Sequence, residues 1–206
     1  MKQRILLAVA LLMTFGCSAS LTPSGTAADN EKSMAIIGAP APSFTLEDQT
    51  GKKVSLSDFA GKIVVLEWLN QDCPFVQRHY RAKTMLRLAE TYKSQGVVWL
   101  AINTTRYMDK ETNKKWISDH QLFYPILDDH LGQVGRLYGA KTTPHMYIID
   151  KSGKLVYQGG IDDDPSGSKR ENAVNYVEKA LDEILDGKPV SVSQTKPYGC
   201  TVKYVD

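Results

Sequence analysis

The sequence is poor in cysteine and histidine and has no excess of either charge. Its 206 residues include three cysteines and four histidines, and its formal net charge is +2. It contains no zinc-ligand spacing, no phosphate-binding glycine loop and no serine-nucleophile motif. We therefore expect no metal or other cofactor, and the charge gives no reason to expect a nucleic-acid partner.

Long apolar runs are also lacking beyond the N-terminus. Lys2 and Arg4 precede residues 5–15, an apolar stretch of signal-peptide length that is shorter than a membrane-spanning helix requires. The run Met13-Thr14-Phe15-Gly16-Cys17 then resembles a bacterial lipoprotein cleavage box in which Cys17 is acylated. We predict a lipoprotein-type signal peptide over residues 1–17, and hence export to the periplasm or cell envelope with Cys17 as a lipid anchor.

Two alternatives to the lipoprotein interpretation stay open. The first is ordinary secretion with cleavage near Ala19 or Ala28, and the second is an uncleaved N-terminal anchor. A lipid anchor is the only membrane contact that we expect. Residues 18–34 are rich in Ser, Thr, Ala, Gly and Asn, and this composition predicts a flexible tether.

The rest of the chain predicts one α/β domain over residues 35–187, followed by an extended tail over residues 188–206. Hydrophobic residues make up 42% of the chain and charged residues 23%, which suits a soluble domain with one core. Strand-like apolar segments alternate with segments of helical spacing, an order that predicts a mixed sheet flanked by helices. We expect strands at 44–46, 53–56, 63–69, 97–102, 124–127, 146–149 and 155–159, and helices at 74–93, 110–120, 130–138 and 170–185.

Cys73 lies where a predicted strand meets a predicted helix. Pro74 suits the first helical position because it has no N–H to leave unpaired. Unpaired backbone amides and the positive end of the helix dipole converge at such a corner. They favour the thiolate, the form of cysteine that attacks disulfides and peroxides. Cys73 is therefore the candidate nucleophile, and the alternative is an inert buried cysteine.

Three stretches of the chain carry a family resemblance. They are residues 38–46 with their continuation to Lys62, the run from Val65 through Cys73-Pro74, and the run from Lys141 through Gly153. Over about residues 35–185 the chain resembles the thioredoxin superfamily and, within it, the peroxiredoxin-like redoxin family (alkyl hydroperoxide reductase / thiol-specific antioxidant). The resemblance implies a single thioredoxin-like domain with a mixed central sheet flanked by helices.

The resemblance also implies roles for residues around the nucleophile. Cys73 would attack the substrate, and Glu67, six residues earlier, would be a buried acid that exchanges protons with it. Pro144 would follow a cis peptide bond, and Thr143 would present backbone groups to a bound disulfide or extended peptide. His145 could stabilise the thiolate. The alternatives are an edge-facing or salt-bridged glutamate, and a histidine that is only a surface or packing residue.

The chain departs from both family patterns around Cys73. Val76 stands where thioredoxins have their second cysteine, so no local disulfide can form. Asn70 stands where typical peroxiredoxins have a threonine or serine that helps to bind peroxide, and no arginine can be assigned to the site. With Cys17 lipidated, Cys200 is the remaining cysteine. It could resolve the product of the nucleophile, form a permanent disulfide with it, or stay a free thiol.

These features predict an exported, thiol-dependent oxidoreductase of the peroxiredoxin-like type. Its Cys73 thiolate would attack a hydroperoxide or a protein disulfide, and an external thiol would be the reductant. One alternative is thiol–disulfide exchange of the thioredoxin type. Another, of a different class, is a non-catalytic module that binds extended peptides in the groove of the fold.

Overall fold

The computed structural model describes residues 34–206. A central sheet of seven strands forms the middle of the fold. The strands within these residues are β1 (Thr45–Asp48), β2 (Lys53–Ser55), β3 (Ile63–Leu69), β4 (Val97–Asn103), β5 (Ile126–Asp128), β6 (Thr142–Thr143), β7 (His145–Ile149), β8 (Leu155–Gly159) and β9 (Cys200–Thr201). The central sheet has the order β2-β1-β5-β4-β3-β7-β8, and β6 pairs separately with β9. The predicted signal peptide with Cys17, and the tether as far as Ser33, lie outside the described residues.

Strand direction makes the central sheet mixed, as the sequence predicted. The three middle strands β3, β4 and β5 are parallel to one another. The outer strands β1, β2, β7 and β8 pair antiparallel with their neighbours. Parallel neighbours need a crossover connection, and helices provide it between β3 and β4 and between β4 and β5.

Five α-helices cover the two faces of this sheet in residues 34–206. They are α1 (Pro74–Arg81), α2 (Thr84–Lys93), α3 (Lys110–His120), α4 (Gln133–Tyr138) and α5 (Tyr176–Leu185). Residues of α1, α2 and α5 are buried in the core on one face, and residues of α4 in the core on the other. None of these described helices is long and apolar enough to cross a bilayer.

Strand β3 is the centre of the core, and all seven of its residues are buried. Its side chains alternate between the two faces. Val65 and Leu69 belong to the core under α1 and α2, whereas Leu66 and Trp68 belong to the core on the opposite face. A strand covered on both faces has no polar side, which explains why every residue of β3 except Glu67 is apolar.

Two predicted helices differ from the observed ones at positions that apolar spacing does not mark. The helix predicted over 74–93 is two helices, because Lys83 adopts a left-handed backbone conformation with φ of 54°. The helix predicted over 170–185 begins only at Tyr176. The side chain of Asn175 accepts a hydrogen bond from the amide of Glu178 and so defines its first turn.

The tail, residues 188–206, does not extend away from the domain but pairs with it through β9. Cys200 lies opposite Thr143, and Thr201 lies opposite Thr142. Gly199 makes this pairing possible, since a Cβ at that position would lie 2.0 Å from the carbonyl oxygen of Thr143. Its φ of 135° is also one that side-chain-bearing residues rarely adopt.

Replacement of Gly199 by alanine should release the tail while leaving the domain folded. The added Cβ clashes with backbone rather than with a flexible side chain, so the strand pairing has to open. We expect the amide of Val202, which donates to the carbonyl of Lys141, to exchange with solvent at least about tenfold faster.

Gly96→Ala is the matched control, because Gly96 also has a positive φ of 81° but an added Cβ there would meet no atom within 4 Å. Unchanged exchange at Val202 in Gly199→Ala would contradict the account of the tail.

Candidate active site

Cys73 lies at the N-cap of α1, at the corner predicted from the sequence. The turn before it is built by Asn70, whose carbonyl oxygen accepts from the Cys73 amide at 3.0 Å. The Asn70 side-chain oxygen accepts from the Asp72 amide at 2.8 Å. Asn70 is buried, and its side-chain oxygen is engaged in a hydrogen bond within this turn. Its side chain therefore contributes to the shape of the site by fixing the backbone that carries the cysteine.

The loop at Thr143 and Pro144 faces the thiol of Cys73, and the peptide bond between its two residues is cis. The Cys73 thiol donates a hydrogen bond to the carbonyl oxygen of Thr143 over 3.0 Å. The Thr143 hydroxyl is buried and has no hydrogen-bond partner among the described residues. It can donate to the sulfur once the thiol ionises, and this hydrogen bond lowers the pKa of Cys73.

Cys200 brings a second sulfur to the same place. It lies opposite Thr143 in the pairing of β9 with β6, and the structure has both cysteines as thiols. The two thiols differ in access to solvent, since Cys73 is only 1% exposed whereas Cys200 is half-buried. Residues 127 positions apart in the chain thus form one dithiol site.

The surroundings of the two thiols shift their pKa values in opposite directions. Burial raises the pKa of Cys73, but hydrogen bonds from the Cys200 thiol, the Val76 amide, the Thr143 hydroxyl and the Cys200 amide outweigh it, so the net pKa is lowered. Burial and the adjacent Cys73 raise the pKa of Cys200 to about 11. Cys73 is therefore the thiol that becomes the thiolate first.

Glu67 lies in the middle of β3 and is buried completely. Its Oε2 accepts a hydrogen bond from the Trp99 indole at 2.9 Å. Burial raises its pKa to about 7, although hydrogen bonds from Trp99 and Tyr80 lower it. Its Oε1 is buried and has no hydrogen-bond partner among the described residues. Glu67 is thus a buried acid that titrates near neutral pH.

His145 lies at the start of β7, directly after the cis-proline, but its contacts do not support the predicted stabilisation of the thiolate. Its Nδ1 accepts from the amide of Lys141 at 3.3 Å and is 3.0 Å from the hydroxyl of Tyr147. Burial, and then the charge of Lys141, lowers its pKa to about 3. The ring is therefore neutral and brings no positive charge to the site.

Tyr198 is a residue of the site that the sequence analysis missed. Its hydroxyl donates to Asp162, and because that uses its one proton, it accepts from His79 Nε2 at 2.9 Å and Arg78 Nη2 at 3.2 Å. Its ring packs edge-on against Phe75, with 5.9 Å between centroids. The sequence placed an aromatic two residues before Cys200, but nothing in it identified partners more than a hundred positions away.

No arrangement of three or more His, Cys, Asp or Glu side chains in residues 34–206 could hold a metal ion. The run Asp162-Asp163-Asp164 is instead used by the protein itself. Asp164 accepts hydrogen bonds from the backbone amides of Ser168, Lys169 and Arg170.

Known proteins resemble this chain in sequence and in structure. A profile of the AhpC/TSA family matches residues 37–158. The thiol-disulfide oxidoreductase ResA of Bacillus anthracis is 31% identical over 161 residues, which cover 76% of this chain and 88% of ResA.

Solved structures also resemble the fold, including the two that follow. An uncharacterized conserved protein from Geobacillus kaustophilus gives a TM-score of 0.74 and 32% identity, over 84% of this chain and 94% of that one. A candidate thiol:disulfide interchange protein DsbE from Chlorobium tepidum gives 0.54 and 29%, over 60% of this chain and 84% of that one. The thioredoxin-like fold predicted from the sequence is confirmed.

Replacement of Thr143 by valine should weaken the thiolate of Cys73. Valine keeps the shape of the side chain but removes the hydroxyl that favours the ionised sulfur. We expect the pKa of Cys73 to rise, and its alkylation at neutral pH to slow several-fold, as measured by mass analysis over a pH series. Thr142→Val is the control, since the Thr142 hydroxyl donates to the carbonyl of Pro144 instead. Equal alkylation profiles for the two variants would contradict this role.

Replacement of Glu67 by glutamine should change how stability depends on pH. The folded-state pKa of about 7 lies above the ordinary value of 4.5, so the folded protein holds its proton longer than the unfolded chain. The contribution of Glu67 to stability is therefore greatest below about pH 4.5 and falls by up to about 3 kcal/mol as the pH rises to about 7.

Glu67→Gln should abolish that part of the slope and be the more stable protein above about pH 7, because its amide still accepts from Trp99. Denaturant unfolding at a series of pH values measures this. A variant with the slope of the wild type would show that the carboxyl does not titrate in this range.

Proposed function

Because the chain belongs to the AhpC/TSA family and is a thiol-based oxidoreductase, we propose that it exchanges thiols with disulfides through Cys73 and Cys200. One observation carries the proposal. A cysteine of lowered pKa at a helix N-terminus lies against a second thiol of raised pKa, held in place by strand pairing. One thiol is thus prepared to attack, and the other is positioned to resolve.

The first step is attack of the Cys73 thiolate on one sulfur of a substrate disulfide. A bond forms between Cys73 and that sulfur, and the other substrate sulfur leaves as a thiolate. The amide of Val76 and the hydroxyl of Thr143 stabilise the attacking charge. Since Cys73 is almost fully buried, β9 has to move away from Thr143 as the substrate enters. The backbone groups that β9 releases can then pair with the substrate.

The second step is resolution by Cys200. Its sulfur attacks the mixed disulfide at Cys73, the substrate leaves with its second thiol, and the protein is left with a Cys73–Cys200 disulfide. The substrate gains two electrons and the two protein thiols lose them. An external thiol reductant then restores the dithiol. The gap of 127 residues between the two cysteines is closed by the return of β9 to β6.

Glu67 supplies a proton-exchanging group for these steps. A general acid or base is most effective when its pKa lies near the working pH, and burial places that of Glu67 at about 7. One carboxyl oxygen accepts from the Trp99 indole, and the other is buried without a hydrogen-bond partner among the described residues. In this proposal Glu67 takes up or releases protons while the thiols change charge.

Reduction of a hydroperoxide is the second candidate, and the AhpC/TSA match favours it. The Cys73 thiolate would take one oxygen and become a sulfenic acid, an alcohol or water would leave, and Cys200 would condense with the sulfenic acid to give the same disulfide and water. Asn70 stands where typical peroxiredoxins have a residue that helps to bind peroxide, but its side chain is hydrogen-bonded within the turn before Cys73. This favours disulfides over hydroperoxides as substrates. The lowered pKa of Cys73 argues against a purely binding role.

The placement of the protein in the cell envelope is also part of the proposal. It rests on the sequence of residues 1–17, where Cys17 would carry the lipid, followed by the tether of residues 18–34. The catalytic domain would then be residues 35–187, with residues 188–206 as the tail that carries Cys200. Substrates and reductant would meet the protein outside the cytoplasm.

Separate serine variants of the cysteines test the function. Cys73→Ser should lose all turnover of both disulfide and hydroperoxide substrates, because no other thiol of lowered pKa is present in the site. Cys200→Ser should complete one attack and stop as a mixed disulfide, or as a sulfenic acid with peroxide. Mass analysis after a single addition of glutathione disulfide or hydrogen peroxide distinguishes the two substrates. Cys17→Ser, at the predicted lipid site, is the cysteine control, and turnover retained in Cys73→Ser would disprove the assignment.

A further inference from the structure

The tail crosses the active site and is fixed on both sides of Cys200. Before Cys200, the hydroxyl of Tyr198 bonds to Asp162, His79 and Arg78. After it, the amide of Val202 donates to the carbonyl of Lys141 at 3.1 Å.

The fixation continues to the end of the tail. The hydroxyl of Tyr204 donates to the carbonyl of Ala140 at 2.7 Å, and its ring lies 4.6 Å from the guanidinium of Arg136. The tail thus covers the site as a strap anchored at two ends.

The strap makes the two sulfurs unequally accessible. Cys73 lies beneath it with 1% of its surface exposed, packed in the core under α1. Cys200, as part of the strap, keeps one side toward solvent. A thiol approaching from outside therefore meets Cys200 first while the strap is in place.

We propose that the external reductant attacks the Sγ of Cys200, and not that of Cys73, when it reduces the Cys73–Cys200 disulfide. The proposal rests on the proposed function, in which this disulfide is the oxidised form. It assigns to Cys200 the second role of accepting electrons from the reductant. It also means that substrate and reductant reach different sulfurs of the same site.

The chemistry of thiol–disulfide exchange favours the same direction. The reductant thiolate bonds to Cys200 Sγ, the disulfide breaks, and Cys73 leaves as a thiolate that the Val76 amide and Thr143 stabilise. A leaving thiol of lower pKa leaves faster. Attack at Cys73 would instead expel Cys200, whose pKa is raised to about 11. A second reductant thiol then frees Cys200 and carries away the oxidised reductant, so that two thiols have supplied two electrons.

Trapping of the mixed disulfide tests the proposal. The full chain is oxidised, the Cys73–Cys200 disulfide is verified by mass, and glutathione is added and quenched at short times with acid and an alkylating agent. Peptide mapping should find glutathione on Cys200 and the alkyl group on Cys73, in an excess of at least about tenfold over the opposite pattern. Equal amounts, or an excess of glutathione on Cys73, would overturn the proposal. Failure of the disulfide to form would instead overturn the proposed function.

A variant of Tyr198, the residue that holds the strap before Cys200, supplies a second test. Tyr198→Phe removes the hydroxyl that holds the strap to Asp162 and His79, so Cys73 should become accessible and its share of the glutathione should rise several-fold. Tyr107→Phe is the matched control, since Tyr107 is 55% exposed and lies outside the tail, and it should leave the partition unchanged. The same partition in Tyr198→Phe as in wild type would show that the strap does not direct the attack.

Single-cysteine proteins give an answer even when the mixed disulfide is too short-lived to trap. Cys73→Ser and Cys200→Ser are each loaded with glutathione on the remaining cysteine, and its removal by an external thiol is timed. Release from Cys200 should be at least about tenfold faster, because Cys200 is the more exposed of the two residues. Equal release, or faster release from Cys73, would refute the proposal.

Discussion

The contact between the backbone of Gly199–Cys200 and Thr143 is the constraint on which the active site depends. It can form only because residue 199 has no side chain, since any Cβ there would overlap the carbonyl of Thr143. Through this pairing the second thiol reaches a nucleophile that is 127 residues earlier in the chain. The same pairing buries Cys73 and occupies the backbone groups that a polypeptide substrate would use.

The environment, and not the residue type, distinguishes the two cysteines. Cys73 is the more buried, yet amide and hydroxyl donors converge on its sulfur and its pKa falls. Cys200 has fewer donors and a neighbour that competes for negative charge, so its pKa rises. Glu67 shows the same principle with an acid, because burial in an apolar strand brings its pKa close to neutral pH. When two thiols differ in pKa, the one of lower pKa leaves faster, so thiol–disulfide exchange at this pair has a preferred direction.

Much of the fold could be predicted because periodicity and local chemistry are short-range properties. The seven segments read as strands lie close to strands of the central sheet, and the corner at Cys73 could be read from Pro74 and the apolar run before it. The break of the predicted helix at Lys83 could not, since apolar spacing continues across it. The position of His145 next to Pro144 suggested that it stabilises the thiolate, but the sequence could not show that burial lowers its pKa or that its Nδ1 lies 3.0 Å from the Tyr147 hydroxyl.

The α/β pattern, the nucleophile and the second cysteine could be recognised from the amino-acid sequence alone. Strand and helix periods, and a proline after a cysteine, are properties of adjacent residues. The three-dimensional fold was needed to show that Cys200 lies beside Cys73, that Tyr198 holds the strap, and that Cys73 is buried while Cys200 is partly exposed. Each of these depends on a close approach between segments remote in sequence, and a one-dimensional pattern does not encode which distant backbone groups will pair.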